Sequence, residues 1–83
     1  MTRLFVNHHL PVRLNGTGQP LAFYYREAWH PVERVVKTWR IATGWWAEPT
    51  ERDYFQLITE DGMLVVIYLD LLCGEWYLSR LYD

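Results

Sequence analysis

A single cysteine, Cys73, stands in 83 residues, which excludes an intramolecular disulfide and fits a reducing compartment. Cations are scarce and skewed, with one lysine against seven arginines, and the net charge is −2. No run of like charge exceeds two residues, so the basic footprint of a duplex DNA binder is missing. No apolar run approaches the roughly 20 residues that span a bilayer. The first twelve residues have neither an apolar h-region nor a small-residue cleavage site, and the expected location is cytoplasmic. Five glycines and four prolines are too few for a low-complexity chain, and they punctuate turns.

Aromatic residues are abundant, at 17% of the chain. A chain this short buries only roughly 60–65% of its unfolded surface, so large side chains must supply the core. Each Phe, Tyr or Trp can bury about 150–250 Å². The hydrophobic fraction of 51% against 22% charged is that of a folded globular domain. Residues 29–46 carry four of the five tryptophans around a β-branched centre.

Read in order, residues 1–9 are weakly patterned and form an N-terminal arm or a short edge strand, and residues 10–83 form one small β domain. Residues 10–14 alternate and lead into the turn cluster of residues 15–20. Leu21, Phe23 and Tyr25 alternate with Ala22, Tyr24 and Arg26 as a period-2 strand. Residues 54–59 form a strand, and Asp61-Gly62 signals a type I′ hairpin turn. Residues 63–69 lack charge on both parities, as a central strand covered on both faces does. Residues 76–82 return as the last strand.

Residues 31–40 decide the fold class. Val32, Val35, Val36 and Trp39 have the i, i+3, i+4, i+7 spacing of an apolar helical stripe, and Pro31 suits a first helical turn. A β-bulge near Arg34-Val35 gives Val32 and Val35 one face in a strand, and the β-branched, aromatic composition favours that reading. The expected fold is mainly β: an antiparallel meander of about 5–6 strands curled into a small SH3-like barrel or half-barrel. An α+β fold with residues 31–40 helical is the alternative. Trp29, Val32, Val35, Val36 and Trp39 read as core.

Four adjacent aromatic pairs, Tyr24-Tyr25, Trp45-Trp46, Tyr54-Phe55 and Trp76-Tyr77, should each send one ring inward and one outward where they lie on strands. The outward rings either pack as cross-strand pairs or form an exposed platform flanked by arginines. The candidate partner-binding residues are Trp45, Trp46, Tyr24, Arg26, Arg40, Arg52, Tyr54 and Arg80. Docking of a protein through Trp and Arg anchors needs no net positive charge. Single-stranded nucleic acid held by stacking is the alternative. Self-association through an edge strand is a third route, with residues 10–14 and 76–82 as candidate edges.

The motif Pro11-Val12-Arg13, Phe23-x-Tyr25-Arg26, His30-x-Val32-x-x-Val35-x-x-x-Trp39, Trp45-Trp46, Arg52-x-Tyr54, Asp61-Gly62, Tyr68-x-Asp70-Leu71 and Trp76-x-Leu78-x-Arg80 resembles the DUF6504 family of small bacterial domains across nearly the whole chain. That resemblance implies an association with the polymerase-like subunit of the bacterial mutagenic DNA-repair machinery. It implies no catalytic residues.

The remaining chemistry-bearing residues read as structural. His8-His9 diverge on an extended chain and lack ligand partners at metal spacing. His30 reads as a half-buried imidazole. Cys73 would need a neighbouring His or cation to become reactive. Gly16-x-Gly18 lacks the Lys-Ser/Thr of a phosphate loop. The carboxylates Asp53, Glu60, Asp61, Asp70 and Glu75 form no pair suited to acid and base roles. The expectation is a non-catalytic interaction module with no cofactor and no metal.

Overall fold

The computed structural model describes residues 2–44 and 49–82. Seven strands follow one another: β1 (Thr2–His9), β2 (Val12–Leu14), β3 (Pro20–Tyr25), β4 (Ala28–Thr43), β5 (Thr50–Thr59), β6 (Leu64–Asp70) and β7 (Glu75–Tyr82). All pairings are antiparallel, in the order β1-β7-β6-β5-β4-β3-β2. Residues 31–40 lie in β4, so the strand reading holds and the helical alternative falls. The beginning of the chain, expected as an arm or a short edge strand, is the eight-residue edge strand β1.

The order explains the curl. β1 and β2 occupy opposite ends of the sheet, yet only Leu10 and Pro11 separate them. In a flat seven-stranded sheet they would lie roughly 29 Å apart, whereas the step from His9 to Val12 spans at most about 11 Å. The sheet must therefore roll toward itself into a half-barrel. Leu10 N donates to Trp76 O on β7 at 2.9 Å, and Tyr24 N on β3 donates to Pro11 O at 2.9 Å. Leu10, 1% exposed, is packed into the core between the two ends.

Inside the curl, Leu10, Phe23, Tyr25, Leu57, Val65, Ile67, Trp76, Leu78 and Leu81 form the core. β6 lies between β5 and β7, and its run Val65–Tyr68 is buried on both parities. That matches the charge-free pattern of a central strand. By contrast β7, expected as an edge, is flanked by β1 and β6, and the free edges are β1 and β2.

Two irregularities set the parity of β4. The pairing with β5 shifts between Val32 and Arg34 and again between Val35 and Lys37. Each shift inserts one residue, so Val32 and Val35 both turn to the core although three positions separate them. The second shift carries Trp39 to the other face, opposite Tyr54, and leaves the inserted Val36 44% exposed. Of the five residues read as core, Trp29, Val36 and Trp39 therefore lie outside it.

The turns also differ from expectation. At Asp61-Gly62 only Gly62 has positive φ, at 89°, and Thr59 N donates to Met63 O while Gly62 N donates to Thr59 O. This is a three-residue loop with a glycine bulge rather than a type I′ turn, and Asn15–Gln19 repeats its bonding. The two-residue hairpin with positive φ at both centres is Arg26-Glu27, at 51° and 63°, between the paired Tyr25 and Ala28. Neither residue is a glycine, and a left-handed conformation costs an ordinary L-residue about 1–2 kcal/mol. Glu27→Gly is expected to raise stability by about 0.5–1 kcal/mol in urea unfolding, despite the entropy a glycine adds to the unfolded chain. A loss of stability would show that the Glu27 conformation is unstrained.

Candidate interaction face

Alternation along the strands gives the half-barrel a second face, and aromatic residues cross it in one row. Trp39 of β4 is registered with Tyr54 of β5, Tyr54 with Tyr68 of β6, Tyr68 with Tyr77 of β7, and Tyr77 with His9 of β1. The Trp39 and Tyr54 rings lie 5.3 Å apart with planes within 6°, and Tyr68 and Tyr77 lie 5.3 Å apart at 20°. Tyr54 and Tyr68 are 5.1 Å apart, tilted by 37°, and Tyr77 meets His9 edge-on at 5.8 Å. Near-parallel rings at such distances are too close to lie side by side in one plane, so they overlap face to face with an offset.

Cations cover much of what remains. The Arg52 guanidinium is 4.6 Å from the Tyr68 ring centre, and Lys37 Nζ is 5.4 Å from that of Trp39. Arg52 Nη1 donates to Tyr54 Oη at 3.4 Å; that bond, ahead of the opposing burial, raises the arginine's pKa further. Burial pushes the Tyr68 hydroxyl up. Arg52 Nε is buried and makes no hydrogen bond, so the side chain is held against the ring at the expense of one donor.

Beside the row runs a groove of about 420 Å³. Trp39 and Tyr54 wall one side, Tyr82 the other, and Gln56 and Val66 lie between them, with Lys37 and Arg80 at the ends. Lys37, Gln56, Val66 and Arg80 are themselves cross-strand partners from β4 to β7. Arg80 Nη1 donates to Tyr82 Oη at 3.4 Å. Among the described residues no carboxylate lines this groove, and Lys37, Arg52 and Arg80 form no ion pair.

The candidate residues divide. Arg52, Tyr54 and Arg80 share this face. Arg40 lies on the opposite parity, where its Nε and Nη2 donate to Asp53 at 2.6 and 3.2 Å. There a second hollow of about 370 Å³ lies between Gly18-Gln19 and the Arg40–Asp53 pair. Tyr24 stands in a separate patch, edge-on to Trp29 at 5.5 Å, with the Arg13 guanidinium 4.2 Å from the Trp29 ring. Arg26 sits in the β3–β4 turn, 5.2 Å from its neighbour Tyr25. Trp45 and Trp46 fall outside the described residues. Three doublets send one ring in and one out as expected, with Tyr25, Phe55 and Trp76 in the core and Tyr24, Tyr54 and Tyr77 outside. The residues that the sequence reading missed are Lys37, Trp39, Gln56, Tyr68, Tyr77 and Tyr82. Only the cross-strand register reveals them.

His30 is a clasp. Its Nε2 lies 3.0 Å from Tyr25 O and its Nδ1 3.1 Å from Asp61 Oδ2, while the ring stacks on Phe23. Both nitrogens are engaged, which ties the β3–β4 hairpin to the β5–β6 turn. Cys73 is exposed in the β6–β7 turn. Among the described residues no group of three or more His, Cys, Asp or Glu could hold a metal ion, and no helix is long and apolar enough to cross a membrane. Comparison with known proteins finds no matching family model, no similar curated protein and no similar solved structure.

Hydrogen bonds from Thr59 first, then from His30, hold the Asp61 carboxyl below its ordinary value against the opposing effect of burial. The charged form is therefore favoured by folding. The stabilisation is complete above the unfolded carboxylate pKa of about 3.9 and is lost as pH falls through the lower folded value. Asp61→Asn is expected to lower the urea midpoint at about pH 6, with the deficit shrinking toward pH 2. A deficit independent of pH would show that charge plays no part in the clasp.

Proposed function

We propose that the protein is a non-catalytic interaction module, an adaptor that docks a segment of a partner protein in the groove beside the aromatic row. One observation carries this reading: the groove combines ring edges, an apolar floor and two cations, Lys37 and Arg80, that form no ion pair among the described residues. Interfaces concentrate their energy in such aromatic and arginine anchors. A non-catalytic role is supported by His30, whose two ring nitrogens are already engaged. A DNA-repair assembly as the setting rests on the resemblance to the DUF6504 family alone.

Geometry weighs against single-stranded nucleic acid. Binding of that kind needs open ring faces on which bases stack. Here ring faces lie against one another and against Lys37 and Arg52, and Tyr68, at the centre of the row, is 6% exposed. What the row offers outward is ring edges and hydroxyls, which suit the polar and apolar groups of a peptide.

Selection from a displayed peptide library against the folded protein, followed by amide-shift mapping, tests the reading. Binders are expected to shift Gln56, Val66 and Arg80, and Gln56→Trp, which fills the groove, should weaken them about tenfold or more, roughly 1.4 kcal/mol. Failure to enrich any binder, or binders that map to Tyr24 and Trp29, would contradict it.

A further inference from the structure

The distribution of charge on this face specifies its partner further. The chain is net acidic, yet among the described residues the carboxylates lie away from the groove. On the outer face, Glu75 Oε2 is engaged by His9 Nε2 at 2.7 Å, and Asp70 Oδ1 accepts from Leu72 N at 3.0 Å. Both belong to the row registered with Arg52, on the far side of the aromatic row. Asp70 and Val66 are four residues apart on β6, or roughly 13 Å, beyond a Debye length of about 8 Å at physiological salt. Asp53, the carboxylate nearest along β5, is on the opposite parity and committed to Arg40. Lys37 and Arg80, both exposed, are left at the two ends of the groove with no ion pair among the described residues.

We infer that the segment received here is acidic and extended, crossing the strands with one carboxylate at Lys37 and a second at Arg80. This rests on the docking reading above and adds its chemistry and spacing. Lys37 on β4 and Arg80 on β7 are separated by three strand spacings, about 14 Å. An extended peptide covers that distance in roughly four residues at 3.3–3.4 Å each. The two acidic residues therefore stand four positions apart. Between them the segment passes over Gln56, whose amide can bond a peptide group, with Val66 forming the buried floor beneath. Ring edges carry the positive part of the aromatic quadrupole, so the wall formed by Trp39 and Tyr54 also favours negative charge. The guanidinium of Arg80 can grip a carboxylate through two donors, whereas Lys37 acts as a point charge.

Fluorescence anisotropy decides the matter with four labelled probes and a fifth in which lysines replace the glutamates. The first is a nine-residue peptide with two glutamates four positions apart in a Thr/Val background. The second carries glutamines instead, the third has the glutamates adjacent, and the fourth is an eight-nucleotide thymidine oligomer. The first is expected to bind tightest, by about fivefold or more over the second and third, with affinity falling as salt rises. Lys37→Glu and Arg80→Glu should each weaken it about five- to tenfold. The double variant should instead prefer the peptide with lysines in place of glutamates. Both positions are exposed, and circular dichroism of each variant confirms the fold. Equal binding of the glutamate and glutamine peptides at this groove overturns the acidic specification and leaves docking intact. Binding of the oligomer alone, or of no probe, overturns both.

Discussion

Two residues, Leu10 and Pro11, impose the constraint on which the structure depends. They join strands at opposite ends of one sheet, and a flat sheet of seven strands cannot be bridged by so short a link. Hydrogen bonds from this corner reach β7 on one side and β3 on the other, so the roll is fixed where the link is shortest. Leu10 is then buried in the core, because the corner that carries it is tied to both ends of the sheet.

Rolling separates two environments that alternation then fills. Inward residues of β3, β5, β6 and β7 make a small apolar core. Among the described residues no second layer lies above the outward residues of β4 to β7, and they cover one another by cross-strand stacking. That arrangement lets a domain of 83 residues keep a large aromatic content without a second core, since stacked rings shield one another. It also leaves Lys37 and Arg80 facing a groove, with no ion pair to a carboxylate among the described residues. The opposite parity is neutralised internally by the Arg40–Asp53 pair, so the two faces differ in charge as well as in composition.

Much of this was legible in the residues and some was not. The charge-free run of residues 63–69 announced a central strand because a strand covered on both sides cannot carry charge. Adjacent aromatic pairs announced rings on both faces because the strand period is two. Trp39 was misread as core because its parity depends on a second insertion in β4, between Val35 and Lys37, beyond the one bulge that the apolar spacing suggests. The turn at Asp61-Gly62 was misassigned because the same dipeptide serves a three-residue loop as readily as a two-residue one. The strained hairpin at Arg26-Glu27 carries no glycine to mark it. Of the candidate site, Arg52, Tyr54 and Arg80 were legible as outward residues. The union of Tyr54 and Arg80 with Lys37, Gln56 and Tyr82 in one groove was not, because it is a property of register across four strands.

The central claim is that the outer rings form a closed, mutually stacked row whose faces are already occupied. A double-mutant cycle on Trp39→Ala and Tyr54→Ala, read by urea unfolding, tests it most directly. Rings stacked as described should couple by about 0.5–1.5 kcal/mol in favour of the intact pair. Additive losses, with no coupling between the two positions, would mean that the rings stand apart and open to solvent, and would contradict the account of this face.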